Sequence, residues 1–415
     1  VRRFPDSFLF GVATSGHQTE GDNTGSDAWF LENVQPTVFA ERSGGACNSW
    51  ELWPEDLDLA QAMGLGAFRF SVEWARVEPR EGTFSSEALD HYAAIVDGCS
   101  QRGLAAVVTL NHMTCPHWFA KRGGWLDPAA PRLLARYCDK VMDHFGDRIT
   151  AAVTLNEPNL PPLLSWVDMP ASVRELERAT LEAASAAVGV PRYRVSTIML
   201  PEERDVLRDG MTAAHLAART ALKARRPDLP VGLSIAIVDD RVAGDDATLR
   251  DRKRAEVYDH WLRLARDDDF IGIQNYESAV YDADGRLPPP RGATLSELGT
   301  AIDARSLGGT VRYAHEISGV PVFVTEHGIA VDDDALRAAF IESSLAGLLD
   351  AMDDGVPVLG YCHWSLLDNF DWTTGYDTFH FGLHTVDRET FARTPKPSTS
   401  GYAAIATSRI LTSTA

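Results

Sequence analysis

Short apolar runs bounded by glycine, proline or polar residues recur along the sequence, separated by longer stretches of helical period, and no other feature constrains the fold as tightly. Eight runs have strand character: Phe8–Ala13, Ala67–Val72, Ala105–Leu110, Ala151–Leu155, Val231–Ile237, Phe270–Ile273, Val322–Thr325 and Leu359–Trp364. Strands that alternate with helices build a parallel sheet, and eight of them close it into a barrel. The expected fold is α/β, a (β/α)8 TIM barrel with its active site at the C-terminal ends of the strands.

The intervening helices show one buried face each. Leu89, Tyr92, Ala93 and Val96 follow the i, i+3, i+4, i+7 spacing before Arg102-Gly103 ends the segment. Leu134, Tyr137, Cys138, Val141 and Phe145 repeat it and stop at Gly146, which assigns Cys138 to packing. A chain of 415 residues can remain one barrel, and no Pro/Gly/Ser linker separates the eight units, so residues 1–415 are expected to form a single domain. The least regular stretch, 158–210, contains "NLPPLLSWVDMP" and then a charged, Ala-rich helical segment; an insertion after strand four would overhang the barrel mouth.

The 59 acidic against 39 basic residues leave a net charge of −20, a field that repels nucleic acid, anionic membrane and phosphorylated ligands. Neutral substrates are the expected partners. The runs Asp267–Asp269 and Asp332–Asp334 read as solvated acidic loops, and no metal is expected there. Five scattered cysteines without a C-x-x-C pair fit a reducing compartment, so a cytoplasmic location is expected. The first residues lack the unbroken apolar stretch of a signal peptide, and no 18-residue apolar run offers a membrane span. Nothing fixes an oligomeric state.

The residues at the expected strand ends are unusually polar. Strand two carries Arg69, strand three ends in Asn111-His112, strand four in Asn156-Glu157, strand six in Gln274-Asn275-Tyr276, strand seven in Glu326 and strand eight in Trp364. A lone buried glutamate is commonly half of a structural ion pair. Two on nearly opposite strands would face each other across the mouth, as glycoside hydrolysis requires: one carboxyl protonates the leaving oxygen and the other attacks or directs water.

These residues sit in motifs that resemble those of glycoside hydrolase family 1, the retaining β-glycosidases that include β-glucosidases. The resemblance spans almost the whole chain, through "FLFGVATSGHQTEG" (8–21), "FRFSVEWARVEP" (68–79), "TLNEPN" (154–159), "DFIGIQNYE" (269–277), "VTEHG" (324–328) and "HWSLLDNFDWTTGY" (363–376). It implies that Glu157 is the general acid/base and Glu326 the nucleophile, about 5–5.5 Å apart in a retaining enzyme. It also implies sugar-binding roles for Gln18, His112, Asn156, Trp364 and Trp372, and places Arg69 and Tyr276 beside the nucleophile. Arg69, Tyr276 and Asn156 are expected to favour ionised Glu326, whose charge in turn keeps Glu157 protonated. No cofactor is implied. A cis peptide between Trp364 and Ser365 is also implied.

Several positions depart from the family pattern. His17 precedes Gln18 in place of tyrosine, Met113 follows His112 in place of tryptophan, His327 follows the nucleophile in place of asparagine, and Gln274-Asn275 stand for asparagine-tyrosine. Asp371 replaces the glutamate that bonds the sugar O4 and O6 and is one methylene shorter. Relaxed O6 recognition is therefore expected, with glucosides, fucosides, galactosides or xylosides as substrates. The quick connection from Glu326 to the next helix suggests a low wall and room for a bulky aglycone. His380 and His384 have the spacing of a metal pair, but Gly382 between them favours a structural or substrate-lining role. Two alternatives stay open: a transglycosidase of the same family, and a catalytically inert sugar-binding barrel.

Overall fold

The computed structural model describes residues 2–412. Eight parallel strands close into a barrel: β1 (Leu9–Ala13), β2 (Ala67–Ser71), β3 (Ala105–Thr109), β4 (Ala151–Asn156), β5 (Val231–Ala236), β6 (Phe270–Asn275), β7 (Val322–His327) and β8 (Val358–Trp364). Each pairs with its neighbours in chain order, and β8 returns to β1 with Gly360 opposite Leu9 and Trp364 opposite Ala13. The closure needs glycine at Gly360, where an added Cβ would lie 2.5 Å from the Leu9 carbonyl oxygen.

Alternation along the strands sorts side chains into two environments. Phe68 and Phe70 of β2 and Ala106 and Val108 of β3 pack with the surrounding helices. Ala67, Val107, Val153, Phe270, Phe323 and Cys362 form a separate apolar cluster that also takes in Trp364. Arg69 and Thr109 share their strand faces with Ala67 and Val107, so the barrel interior turns from apolar to polar toward the carboxyl ends. That gradient delivers charged groups to the mouth.

The barrel is wrapped by helices that include α1 (Ser49–Ala62), α2 (Ser86–Gln101), α3 (Ala130–Phe145), α4 (Ala171–Val188), α5 (Arg204–Arg225), α6 (Ser306–Ser318), α7 (Asp334–Asp353) and α8 (Ser398–Ser408). The side chain of Ser85 caps α2 by accepting from Ala88 N at 3.1 Å. Leu89, Tyr92, Ala93 and Val96 are buried on it, as their spacing predicts. Cys138 lies in the apolar face of α3, and all five cysteines are buried free thiols. Burial pushes the thiols of Cys47, Cys99 and Cys362 up to about 12, which removes thiolate reactivity.

Three strand ends run past their expected limits. β4 includes Asn156, β6 includes Gln274 and Asn275, and β7 includes Glu326 and His327. These polar residues stay in the ladder because Glu326 pairs with Gln274, His327 with Asn275, and Asn156 with Ser234. The 158–210 stretch is more helical than expected, containing a short helix Leu160–Leu164, all of α4 and the start of α5. The acidic runs are not simply solvated either. Asp268 is buried against Arg219 and His215, Asp333 caps α7, and Asp334 binds Arg337 and Ser398. For Asp268 the cation Arg219 comes from distant α5, whereas Asp333 and Asp334 are used locally at the start of α7. Among the described residues, no helix is long and apolar enough to cross a membrane.

Candidate active site

Arg69 organises the floor of the mouth. Fully buried, it donates Nε to Thr109 Oγ1 at 3.1 Å, NH1 to Glu326 Oε1 at 2.5 Å and NH2 to Asn156 Oδ1 at 2.6 Å. Tyr276 donates its hydroxyl to the other Glu326 oxygen. Glu326 thus holds a positive charge on one oxygen and a phenol on the other. Burial lifts its carboxyl above the ordinary value, and Arg69 and Tyr276 oppose that rise. Tyr276 remains a phenol, because burial and the adjacent Glu326 push its pKa well above the usual range.

Glu157 sits differently. Its backbone is left-handed, with φ of 50°, held by Glu157 N donating to Ser234 O at 2.7 Å and by Leu160 N donating to Glu157 O at 3.0 Å. A non-glycine residue there costs ~1–3 kcal/mol, a strain typical of functional sites. Among the described residues, no cation forms an ion pair with its carboxyl, and Arg69 bonds Glu326 instead. Burial first, and then the negative charge of Glu326, push it up to about 8; Arg69 opposes and Asp371 adds to the rise. The two carboxyls therefore share one field, with Glu326 favoured to ionise and Glu157 to keep its proton.

Asn156 is where the expectation needs correction. It makes no bond to Glu326. Its Oδ1 accepts from both Arg69 and Gln274 Nε2, each at 2.6 Å, which turns its Nδ2 toward His112 Nε2 at 3.2 Å. Gln274 is itself oriented: its Nε2 also reaches Ser234 Oγ at 3.2 Å, Ser234 lies 2.6 Å from Thr325 Oγ1, and Thr325 donates to Ile273 O at 3.0 Å. Burial, reinforced by Arg69, pulls His112 well below its usual value, so the imidazole is neutral. With Nε2 accepting, the proton rides on Nδ1, a buried atom without a partner among the described residues.

Aromatic rings complete the wall. His112 is stacked with Trp364 at 6.0 Å and with Trp372 at 6.2 Å between centroids. His17 stacks on Trp372 at 5.6 Å and is tied to Glu32 at 2.8 Å, which in turn accepts from Ser43 N and Oγ. Phe381 meets Tyr276 edge-on at 5.5 Å. The Trp364–Ser365 peptide is cis. Gly328 admits the strand-eight backbone, since an added Cβ would fall 2.1 Å from Trp364 O.

Gln18 and Asp371 are partly committed to the protein. Gln18 Nε2 donates to Phe370 O at 2.8 Å, and its Oε1 accepts from Ser15 at 2.8 Å. Asp371 Oδ1 accepts from Thr374 at 2.9 Å, and burial raises its carboxyl to about 6. Gln274, Thr374, Phe381 and the His17–Glu32 pair were not singled out as site residues. Only Gln274 and His17 left a trace in the sequence, as departures from a motif.

Of the two histidines at metal-pair spacing, His384 Nδ1 bonds Leu366 O at 3.0 Å, away from His380. His380 Nδ1 lies 2.9 Å from Glu297 and 3.2 Å from Asp332, a triad tying together the loops after β6, β7 and β8. Its ligand atoms fall within 4.8 Å of one another, a spacing that a cation could also bridge.

The family model described as Glycosyl hydrolase family 1 matches residues 1–174 and 258–410. A beta-glucosidase of Agrobacterium sp. is 29% identical, covering 97% of this chain and 95% of its own. Among solved structures, beta-glycosidase BGL167 is 41% identical with a TM-score of 0.91, covering 99% of both chains. Beta-glucosidase 1317 is 36% identical with a TM-score of 0.92, covering 97% of this chain and 98% of that one.

Proposed function

For a chain that belongs to glycosyl hydrolase family 1, and so acts on O-glycosyl bonds, we propose a retaining β-glycosidase in which Glu326 is the nucleophile and Glu157 the acid/base. Residues 1–415 act as one catalytic unit. The observation that carries the reading is the asymmetry of the two carboxyls: Glu326 is held by Arg69 and Tyr276, while Glu157 has no cation of its own among the described residues and is pushed up to about 8.

In the first step a Glu326 oxygen attacks the anomeric carbon, the bond to the leaving oxygen breaks, and that oxygen takes the Glu157 proton. The ester that forms has no charge, so the electrostatic pressure on Glu157 falls and its carboxylate becomes a competent base. Water then gives a proton to Glu157, attacks the anomeric carbon and expels Glu326 as carboxylate. The sugar leaves with its β configuration restored. Asn156 Nδ2 is the donor offered to the ring hydroxyls, with His112, Gln18, Trp364 and Trp372 around it.

The short carboxylate of Asp371, turned toward Thr374, supports relaxed recognition at O6. β-Glucosides, fucosides, galactosides and xylosides are then all accommodated. Incubation with a 2-deoxy-2-fluoro-β-glucoside bearing an activated leaving group tests the assignment. Mass spectrometry should find one fluorosugar on the peptide containing Glu326; labelling elsewhere, or turnover of 4-nitrophenyl β-glucoside with inverted product, overturns it. A chain that binds sugar without turnover is the inert alternative, and products carrying an added alcohol reveal transglycosylation.

A further inference from the structure

Gln274 stands where the family pattern has asparagine, one methylene shorter, and the extra length has a use in this barrel. The residue lies near the end of β6, fully buried, with Glu326 as its partner in the ladder to β7. Its amide reaches past β5 to β4, where Nε2 donates to Asn156 Oδ1 at 2.6 Å and also meets Ser234 Oγ of β5 at 3.2 Å. Removing a methylene takes away ~1.5 Å of reach, enough to carry the 2.6 Å contact out of hydrogen-bond range.

The directions of these bonds follow from Arg69. A guanidinium only donates, so its NH2 at 2.6 Å fixes which atom of the Asn156 amide is the oxygen. That oxygen in turn requires a donor from residue 274. The opposite orientation of Gln274 would set Oε1 against Asn156 Oδ1, acceptor against acceptor, and the barrel instead leaves Oε1 buried without a partner among the described residues. Ser234 receives Nε2, so its own proton goes to Thr325 Oγ1, 2.6 Å away, which donates to Ile273 O. In the strand order Arg69 arrives from β2 and Gln274 from β6, on opposite sides of β4. Two donors from two sides fill the Oδ1 lone pairs and fix the plane of the Asn156 amide. Of the two Nδ2 protons, one faces His112 Nε2 at 3.2 Å and the other remains for the sugar.

We propose that Gln274 is a positioning residue for the reaction, holding the Asn156 amide so that Nδ2 meets the sugar 2-hydroxyl in the transition state; this rests on the reading of the site as a retaining glycosidase. A hydrogen bond to the 2-hydroxyl strengthens as the anomeric carbon becomes cationic, so an amide held still acts on the rate more than on binding. Arg69 alone would leave the amide free to tilt about a single bond. Gln274 works through Asn156, and its own hydrogen bonds stay within the protein.

Gln274→Met keeps the length and removes the donor, whereas Gln274→Asn keeps the amide and removes the reach. kcat/KM of parent and variants is measured on 4-nitrophenyl β-glucoside and on its 2-deoxy analogue. Each variant should lose ~10-fold or more on the glucoside, through kcat, and less than ~2-fold on the 2-deoxy substrate, which has no hydroxyl for Asn156 to meet. In an Asn156→Ala background, Gln274→Met should change kcat/KM on the glucoside by less than ~2-fold, since its route to the substrate is gone. Equal losses on the two substrates, no loss on the glucoside in either variant, or an undiminished loss in the Asn156→Ala background overturns the proposal. A parent enzyme inert on 4-nitrophenyl β-glucoside would instead remove the underlying glycosidase reading.

Discussion

Replacing Glu157 by glutamine separates what this residue does for catalysis from what it costs the fold. In the native state its carboxyl is held up to about 8 against an ordinary 4.5, by burial and by Glu326. Between those values the native chain keeps a proton that the unfolded chain releases. Stability of the parent therefore declines as pH rises from 4.5 toward 8, because the unfolded state gains ionisation that the native state is denied. At ~1.4 kcal/mol per pH unit, the interval from 4.5 to pH 7 amounts to ~3 kcal/mol. Glutamine has the same shape and no proton to lose, so Glu157→Gln escapes this penalty. With an unfolding entropy of ~2 cal/mol/K per residue, a chain of this length converts ~3 kcal/mol into a Tm difference of ~3–4 °C. The assay is thermal unfolding of parent and variant at pH 4.5 and at pH 7, at one scan rate. The variant's Tm advantage should be ~3 °C larger at pH 7 than at pH 4.5. An equal difference at both pH values would mean that Glu157 is not held protonated, and the division of labour between the carboxyls would fail with it. The same variant should lose ~10²–10⁴-fold in hydrolysis of alkyl glycosides while sparing activated aryl glycosides, which need no proton.

Glu326→Gly should abolish the first step, read as loss of nitrophenolate release from 4-nitrophenyl β-glucoside; normal turnover of that substrate would refute the nucleophile assignment. For the parent, kcat/KM on an alkyl β-glucoside should fall as pH rises through about 8, where Glu157 loses its proton; a profile flat to pH 10 would contradict this. Arg69→Met removes the charge that opposes the rise of Glu326, so the acidic limb of that profile should move to higher pH and kcat should drop by ~10²-fold or more. Asp371→Glu restores the missing methylene and should raise the preference for glucoside over fucoside by ~1–3 kcal/mol in kcat/KM, with no change counting against the O6 reading.

The eight strands and the two carboxyls were legible in the sequence because both are local facts. A strand is written as an apolar run between breakers, and Glu157 and Glu326 announce themselves in motifs a few residues long. Strand ends were harder. Asn156, Gln274, Asn275, Glu326 and His327 look like loop by polarity, yet they pair with the neighbouring strand. Asp268 reads as solvent-facing and is buried because Arg219 and His215 arrive from α5.

What the sequence alone determined is the periodicity of the chain and which residues are proposed to react. Only the tertiary structure decided how those groups are aimed. Arg69 and Glu326 are 257 residues apart and Gln274 and Asn156 are 118 apart, so no pattern along the chain could show that Arg69 serves both Glu326 and Asn156, or that Gln274 turns the amide of Asn156 toward His112. The direction of a hydrogen bond and the dielectric around a carboxyl belong to the packed barrel, because both depend on neighbours that folding alone brings within reach.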